Sequence, residues 1–174
     1  MEPIKYSSAD IQSAVFGLAG RLISTITEED TVLYACILRG GAVFFADLIR
    51  QLPYGYTEYI SASSYDDKGN RGELTIHSMP YEVGAPKYTK IFLIDDICDS
   101  GITLSLIASQ LRARFPKAEV KTVTLIQKTH SPRPADYCAF QDDTDDFVYG
   151  YGMDRANGYA RNEVNIRVMD RGNI

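Results

Sequence analysis

The chain has 174 residues, is 45% hydrophobic and carries a formal net charge of -5, so it can bury the core of one domain and is too short for two. That acidic balance offers no general attraction to nucleic acid or to an anionic membrane surface. No apolar run reaches the roughly 20 residues of a membrane span, and the start MEPIKYSSAD lacks the basic-then-apolar layout of a signal peptide; a cytoplasmic protein is expected. Cys36, Cys98 and Cys138 are an odd set without metal-ligand spacing and read as buried free thiols.

In chain order, Ile11, Val15, Leu18, Leu22 and Ile23 recur at helical spacing, predicting an amphipathic helix capped by Ser8. TVLYACIL (31–38) predicts a buried strand that ends at Gly40 and Gly41, and AVFFADLIRQL (42–52) a helix, together one βα unit. YTEYISASSY (56–65) and GELTIHSM (72–79) predict strands around DDKGNR, whose charges and glycine suit a mobile loop at about 63–72. KIFLID (90–95), SLIASQLRARF (105–115) and VKTVTLI (120–126) predict strand, helix and strand. Continuous apolar runs alternating with helices imply an α/β domain with a central, mainly parallel sheet covered on both faces. No repeat or low-complexity linker divides the chain, so residues 1–174 are read as one domain.

In such a sheet the ligand site lies beyond the carboxyl ends of the strands, near the point where strand order reverses. The informative ends are 38–41, 95–103 and Lys128. In IFLIDDICDSGITLSLI (91–107) an apolar run meets Asp95 and Asp96, followed by the turn Asp99, Ser100, Gly101, Ile102, Thr103 that opens a helix. Backbone N–H groups, two hydroxyls and the positive helix end then converge as a monophosphate cradle. Beside it, Asp95 and Asp96 can accept hydrogen bonds from the vicinal hydroxyls of a ribose and help to hold Mg²⁺ through water. A lone aspartate at a strand end is more often a solvated cap; the ordered set is not.

This stretch resembles the phosphoribosyl-pyrophosphate motif of the type I phosphoribosyltransferases. LRGG (38–41) is similar to the pyrophosphate loop of their hypoxanthine-guanine branch, and ASSYDD (62–67) to the start of the branch's mobile catalytic loop. LIQKT (125–129) and DFVYGYGMDRANGYAR (146–161) are similar to its purine-binding segments. These four segments and the phosphoribosyl-pyrophosphate stretch occur in the family's order between about residues 30 and 165. The resemblance implies the family's fold, with a small hood built from the chain ends, and a purine-salvage transferase that assembles as a dimer or tetramer. Its substrates would be phosphoribosyl pyrophosphate and a 6-oxopurine, with Mg²⁺ as cofactor.

Carried over residue by residue, the resemblance implies that Asp95 and Asp96 hold the ribose hydroxyls and that Asp99, Ser100, Gly101, Ile102 and Thr103 hold the 5′-phosphate. Asp99 would also face purine N7 as general acid/base, a role open to any carboxylate close to the nucleophilic ring. Arg39, Gly40, Gly41 and Arg161 would bind pyrophosphate, with the peptide between Leu38 and Arg39 cis. Ser64 and Tyr65 would close over the reacting centre and exclude water. Lys128, Phe147, Val148 and Asp154 would form the purine subsite, with Phe147 stacking on the base, and Asp154 would join Asp95 and Asp96 as a metal site. Asp95 stands where the branch often carries Glu, Ile102 where a polar residue is frequent and Arg155 where an aromatic is frequent. PYEVGAPKYTK (80–90) has no counterpart.

Other classes fit less well. A signalling receiver domain places its acid pair on the first strand, whereas this pair follows half the chain, and a P-loop nucleotidase needs G-x-x-x-x-G-K-[ST], which is absent. A regulator of the same fold that binds phosphoribosyl pyrophosphate or nucleotides without turnover, and a transferase acting on xanthine or another base, remain alternatives. The acidic charge and the lack of an added DNA-binding module argue against nucleic acid as a partner.

Overall fold

The computed structural model describes residues 2–65, 71–76, 86–155 and 158–169. Helix α1 (Ser8–Ile23) follows the predicted periodicity, with Ile11, Val15, Leu18, Ala19 and Leu22 buried. Its cap is Ser7 rather than Ser8. The Ser7 hydroxyl accepts from the Asp10 amide and the Asp10 carboxylate accepts from the Ser7 amide at 3.0 Å, a reciprocal capping box.

Strand β2 (Val32–Leu38) is buried on both faces and leads into α2 (Ala42–Ile49), which is shorter than predicted. Leu52 precedes Pro53, which disfavours helical backbone there, and the chain turns instead. Strand β3 (Tyr56–Tyr65) pairs parallel to β2, and β4 (Arg71–Ile76) pairs antiparallel to β3. Strand β5 (Lys90–Cys98), helix α3 (Ile102–Arg114), β6 (Glu119–Lys128) and β7 (Tyr137–Asp142) complete the main sheet. Its order is β4-β3-β2-β5-β6-β7. Strand order reverses between β2 and β5, so the crevice expected of this architecture opens between their carboxyl ends.

Side chains alternate across the sheet. Val32, Tyr34 and Cys36 of β2 pack with Leu18, Leu22, Phe44 and Leu48 of α1 and α2, whereas Leu33, Ala35 and Ile37 share the opposite layer with Leu104, Ile107 and Leu111 of α3. The three cysteines are free; Cys36 and Cys98 are buried and Cys138 half-buried.

A second, three-stranded sheet joins the two ends of the chain: β1 (Ile4–Tyr6), β9 (Ile166–Val168) and β8 (Val148–Tyr149) in the order β1-β9-β8. This is the hood that the resemblance implies. Arg155 helps to tie it together, 3.0 Å from Glu2 and over the Tyr149 ring. Among the described residues, no helix is long and apolar enough to cross a membrane.

Candidate active site

Strand β5 runs three residues beyond the predicted end. Its pairing with β2 stops at Ile94, opposite Cys36, while its pairing with β6 continues to Cys98, opposite Gln127. Asp95 and Asp96 therefore lie inside a strand that has lost one neighbour. The gap is filled by the turn after β2. A Cβ on Gly40 would sit 1.8 Å from Asp96 Oδ2, so any larger residue there would push the Asp96 carboxylate from its place. The peptide between Leu38 and Arg39 is cis, as the resemblance implies. The Arg39 side chain is exposed and Gly41 is buried.

Burial and the neighbouring Asp96 charge push the Asp95 carboxyl well above the usual carboxylate range, and burial raises Asp96 as well. Their hydrogen bonds are local: Asp95 Oδ1 accepts from the Asp96 amide at 3.0 Å, and Asp96 Oδ1 from the Ile97 amide at 2.8 Å. Among the described residues, no lysine or arginine forms an ion pair with either. Two half-buried carboxylates without an ion-pair partner, with only the more distant Arg161 charge acting on Asp96, fit an incoming cation or hydroxyl donors. The described residues contain no cluster of three or more metal-ligating side chains, so an ion here would take most of its ligands from substrate oxygens and water, as Mg²⁺ does in phosphate sites.

Gly101 ends the turn in the left-handed region at φ 70°, and a Cβ there would meet the Arg133 carbonyl oxygen at 2.0 Å. It sets the start of α3 at Ile102, three residues before the predicted start, and the first turn has no side-chain cap. The Ile102 amide makes one long bond to Ser100 Oγ, at 3.4 Å, and the amides that follow it in the first turn are available to an anion. Ser100 and Ile102 are exposed and Thr103 is half-buried beside them.

The neighbouring cleft, about 520 Å³, is lined by Asp96, Asp99, Lys128, Phe147, Val148 and Asp154 from the sequence-derived set. It is the size of a small-molecule site. Phe147 offers a half-exposed ring and Val148 is buried beneath it. Lys128 is the last residue of β6 and stands opposite Asp142 of β7. Its ammonium is buried and donates to Asp142 Oδ2 at 2.7 Å, to the Thr144 carbonyl at 2.7 Å and to the Asp146 carbonyl at 3.0 Å. Arg161 reaches the cleft lining through Asp154, donating to the Gly152 carbonyl and to Asp154 Oδ1, each at 2.7 Å. Asp154 Oδ2 accepts from the Gly158 amide at 3.0 Å, so both of its oxygens are engaged within the protein.

Sequence reasoning missed His130. Its Nε2 lies 3.0 Å from Asp99 Oδ1 and its Nδ1 lies 3.6 Å from Asp145 Oδ1. The one available signal was its place two residues beyond Lys128; the contact itself depends on the β5–β6 register that sets Cys98 beside Gln127. Asp145, also in the lining, went unread, and Asp146 and Met153 were read only as part of the segment 146–161, without a role of their own. The backbone of Ser64 and Tyr65 ends β3, and most of the expected catalytic loop, 66–70, lies outside the described residues.

An open helix terminus, an acid pair and a base-sized cleft along one sheet edge are the parts of a sugar-phosphate transferase. The phosphoribosyl transferase domain family matches residues 7–156. A hypoxanthine-guanine-xanthine phosphoribosyltransferase of Tritrichomonas foetus is 30% identical over 164 residues, covering 91% of this chain and 87% of that one. A hypoxanthine-guanine phosphoribosyltransferase of Bacillus subtilis (strain 168) is 33% identical over 169 residues, covering 91% and 88%. The crystal structure of a hypoxanthine-guanine phosphoribosyltransferase from Bacillus anthracis is 30% identical and superposes with a TM-score of 0.82, covering 98% of this chain and 99% of that one. The chain belongs to the type I phosphoribosyltransferases, in their hypoxanthine-guanine branch.

Proposed function

We infer that the protein transfers the 5-phosphoribosyl group of phosphoribosyl pyrophosphate to N9 of hypoxanthine or guanine, giving the nucleoside 5′-monophosphate and pyrophosphate. The observation that carries this reading is the order of groups along one edge of the sheet. The uncapped first turn of α3 suits the 5′-phosphate, Asp95 and Asp96 suit the ribose, and the cleft between Asp99, Lys128 and Phe147 suits the base. Three free cysteines are in keeping with a reducing compartment, the cytoplasm.

In the reaction the bond from C1′ to the pyrophosphate oxygen breaks, the leaving group keeps the electron pair, and N9 of the base bonds to C1′. The proton displaced from the imidazole ring of the purine passes to Asp99, whose exposed carboxylate faces the cleft. Arg39 and Arg161, with the backbone at Gly40 and Gly41, receive the pyrophosphate charge. Mg²⁺, when bound beside Asp95 and Asp96, neutralises negative charge on the substrate. The exclusion of water from the cationic sugar carbon is the role the resemblance gives to Ser64 and Tyr65, whose side chains lie outside the described part of the structure.

Lys128 selects the base. An ammonium has only donors, so it suits the O6 acceptor of hypoxanthine or guanine and opposes the N6 amine of adenine. Its three N–H groups already have acceptors, so O6 shares one of them; the bond to the Asp146 carbonyl, one residue before Phe147, is the longest. Incubation with phosphoribosyl pyrophosphate, Mg²⁺ and hypoxanthine, with chromatography of the products, tests the reading. Inosine monophosphate and pyrophosphate in equal amounts are expected; bound substrate without product would indicate the regulator instead.

A further inference from the structure

Behind the base end of the cleft, bonded to the lining residue Asp146 and to Asp142, sits a charged group from the far end of the chain for which the reaction above has no use. Lys5, on β1 of the hood, has its ammonium 2.9 Å from Asp142 Oδ1 and 2.9 Å from Asp146 Oδ2, and it also donates to the Thr144 hydroxyl. Asp142 thus lies between two lysines, with Oδ1 on Lys5 and Oδ2 on Lys128. The side chains of Lys5, Asp142 and Lys128 are only 12%, 2% and 4% exposed, so water screens these three charges poorly, whereas Asp146 at 40% is partly screened. Two ammoniums and two carboxylates balance. Without Lys5, Asp142 and Asp146 would face Lys128 alone, and the surplus negative charge would hold its Nζ against the protein and away from the cleft.

We propose that Lys5 is a positioning residue for base recognition: by neutralising Asp142 and Asp146 from the hood side, it leaves Lys128 able to share an N–H with O6 of a bound 6-oxopurine. The proposal rests on the reading of Lys128 given above. It makes the N-terminal strand part of the purine subsite, although nothing in IKY resembles a binding motif. The strand is anchored independently of the Lys5 charge. Ile4 and Tyr6 pair with Arg167 and Ile166 of β9, Arg167 donates to the Glu2 carbonyl at 2.7 Å, and the Tyr6 ring stacks on Phe140 at 4.0 Å. Substitutions at Lys5 should therefore leave β1 in place.

Steady-state kinetics of Lys5→Met and Lys5→Arg, with each substrate varied in turn, test this. Lys5→Met should raise KM for hypoxanthine and guanine about tenfold, the scale of one misdirected hydrogen bond to a charged group, with KM for phosphoribosyl pyrophosphate unchanged. Lys5→Arg should restore most of the loss. A merely structural lysine would move both KM values together or lower kcat alone, and either result overturns the proposal. Lys128→Met, assayed in parallel, separates the two readings. If it leaves the base KM unchanged, the O6 role of Lys128 is wrong; if it raises that KM while Lys5→Met does not, only the Lys5 proposal fails. In the double variant, Lys5→Met should add nothing to the effect of Lys128→Met. Should the variants not fold, NMR of the lysine ammonium groups in the wild-type protein gives the same answer: both signals should move when inosine monophosphate binds, and an unmoved Lys5 signal overturns the proposal.

Discussion

Two acidic clusters stand at the same edge of the main sheet and are treated in opposite ways. Asp95 and Asp96 have no described ion-pair partner; burial raises both carboxyls, and the Asp96 charge raises Asp95 further. Asp142 is also buried, which alone would raise it, but hydrogen bonds from Lys128 and Lys5 outweigh burial and hold it well below the usual carboxylate range. The first cluster is left short of positive charge and is completed by a ligand that carries hydroxyls and a cation. The second is complete within the protein, and its charges fix the position of a lysine. A carboxylate that waits for substrate costs stability in the free protein, and one that positions a neighbour contributes to it.

Asp99, between the two clusters, should give the largest effect. Asp99→Asn keeps the shape and loses the proton acceptor, so turnover should fall about 100- to 10,000-fold with substrate binding retained. An unchanged turnover number, in an assay where chemistry is rate-limiting, would remove Asp99 from that role. Asp142→Asn leaves two buried ammoniums facing an amide and should cost about 3 kcal/mol of stability at neutral pH. The folded carboxyl is depressed relative to the unfolded one, so its stabilisation is complete above the ordinary carboxylate range and is lost as pH falls through the folded value. The gap between wild type and variant in urea melts should therefore narrow below about pH 4; a gap that stays constant with pH would mean that Asp142 is not held as an anion.

Asp95→Asn should act in the opposite direction and more weakly. Removal of an uncompensated charge should stabilise the ligand-free protein by about 1 kcal/mol, or roughly 2–4 °C in Tm for a chain of this length, while weakening binding of phosphoribosyl pyrophosphate. The folded carboxyl is raised, so both states are protonated well below the unfolded pKa and the penalty appears as pH rises through the folded value. The gain should accordingly grow with pH and vanish in acid. A loss of stability at pH 8 would erase the contrast between the clusters.

Much of this was legible in the sequence because it is local. The two βα units, the phosphate turn and the glycines of LRGG are contiguous, and the predicted bounds of β3 coincide with Tyr56–Tyr65. The errors fall where local signals run out. Aspartate is a poor strand former, so Asp95 and Asp96 seemed to end β5, yet pairing with β6 carries the strand on to Cys98. Ile102 and Thr103 are β-branched and hid the first turn of α3, whose start is set by Gly101. The hood strands, two or three residues each, are too short to show a period. Lys5, Asp142 and Lys128 meet only after the chain ends close on the sheet, and the contact of His130 with Asp99 depends on strand register.

The most direct test of the central claim is base discrimination by the wild-type protein: kcat/KM for hypoxanthine and for adenine at saturating phosphoribosyl pyrophosphate. A lysine held by Asp142 at the base end of the cleft predicts that adenine is the poorer substrate by at least about 100-fold, because the site opposes its amine with a buried donor. Comparable efficiency with the two bases would contradict the role of Lys128 and the assignment of a 6-oxopurine as substrate.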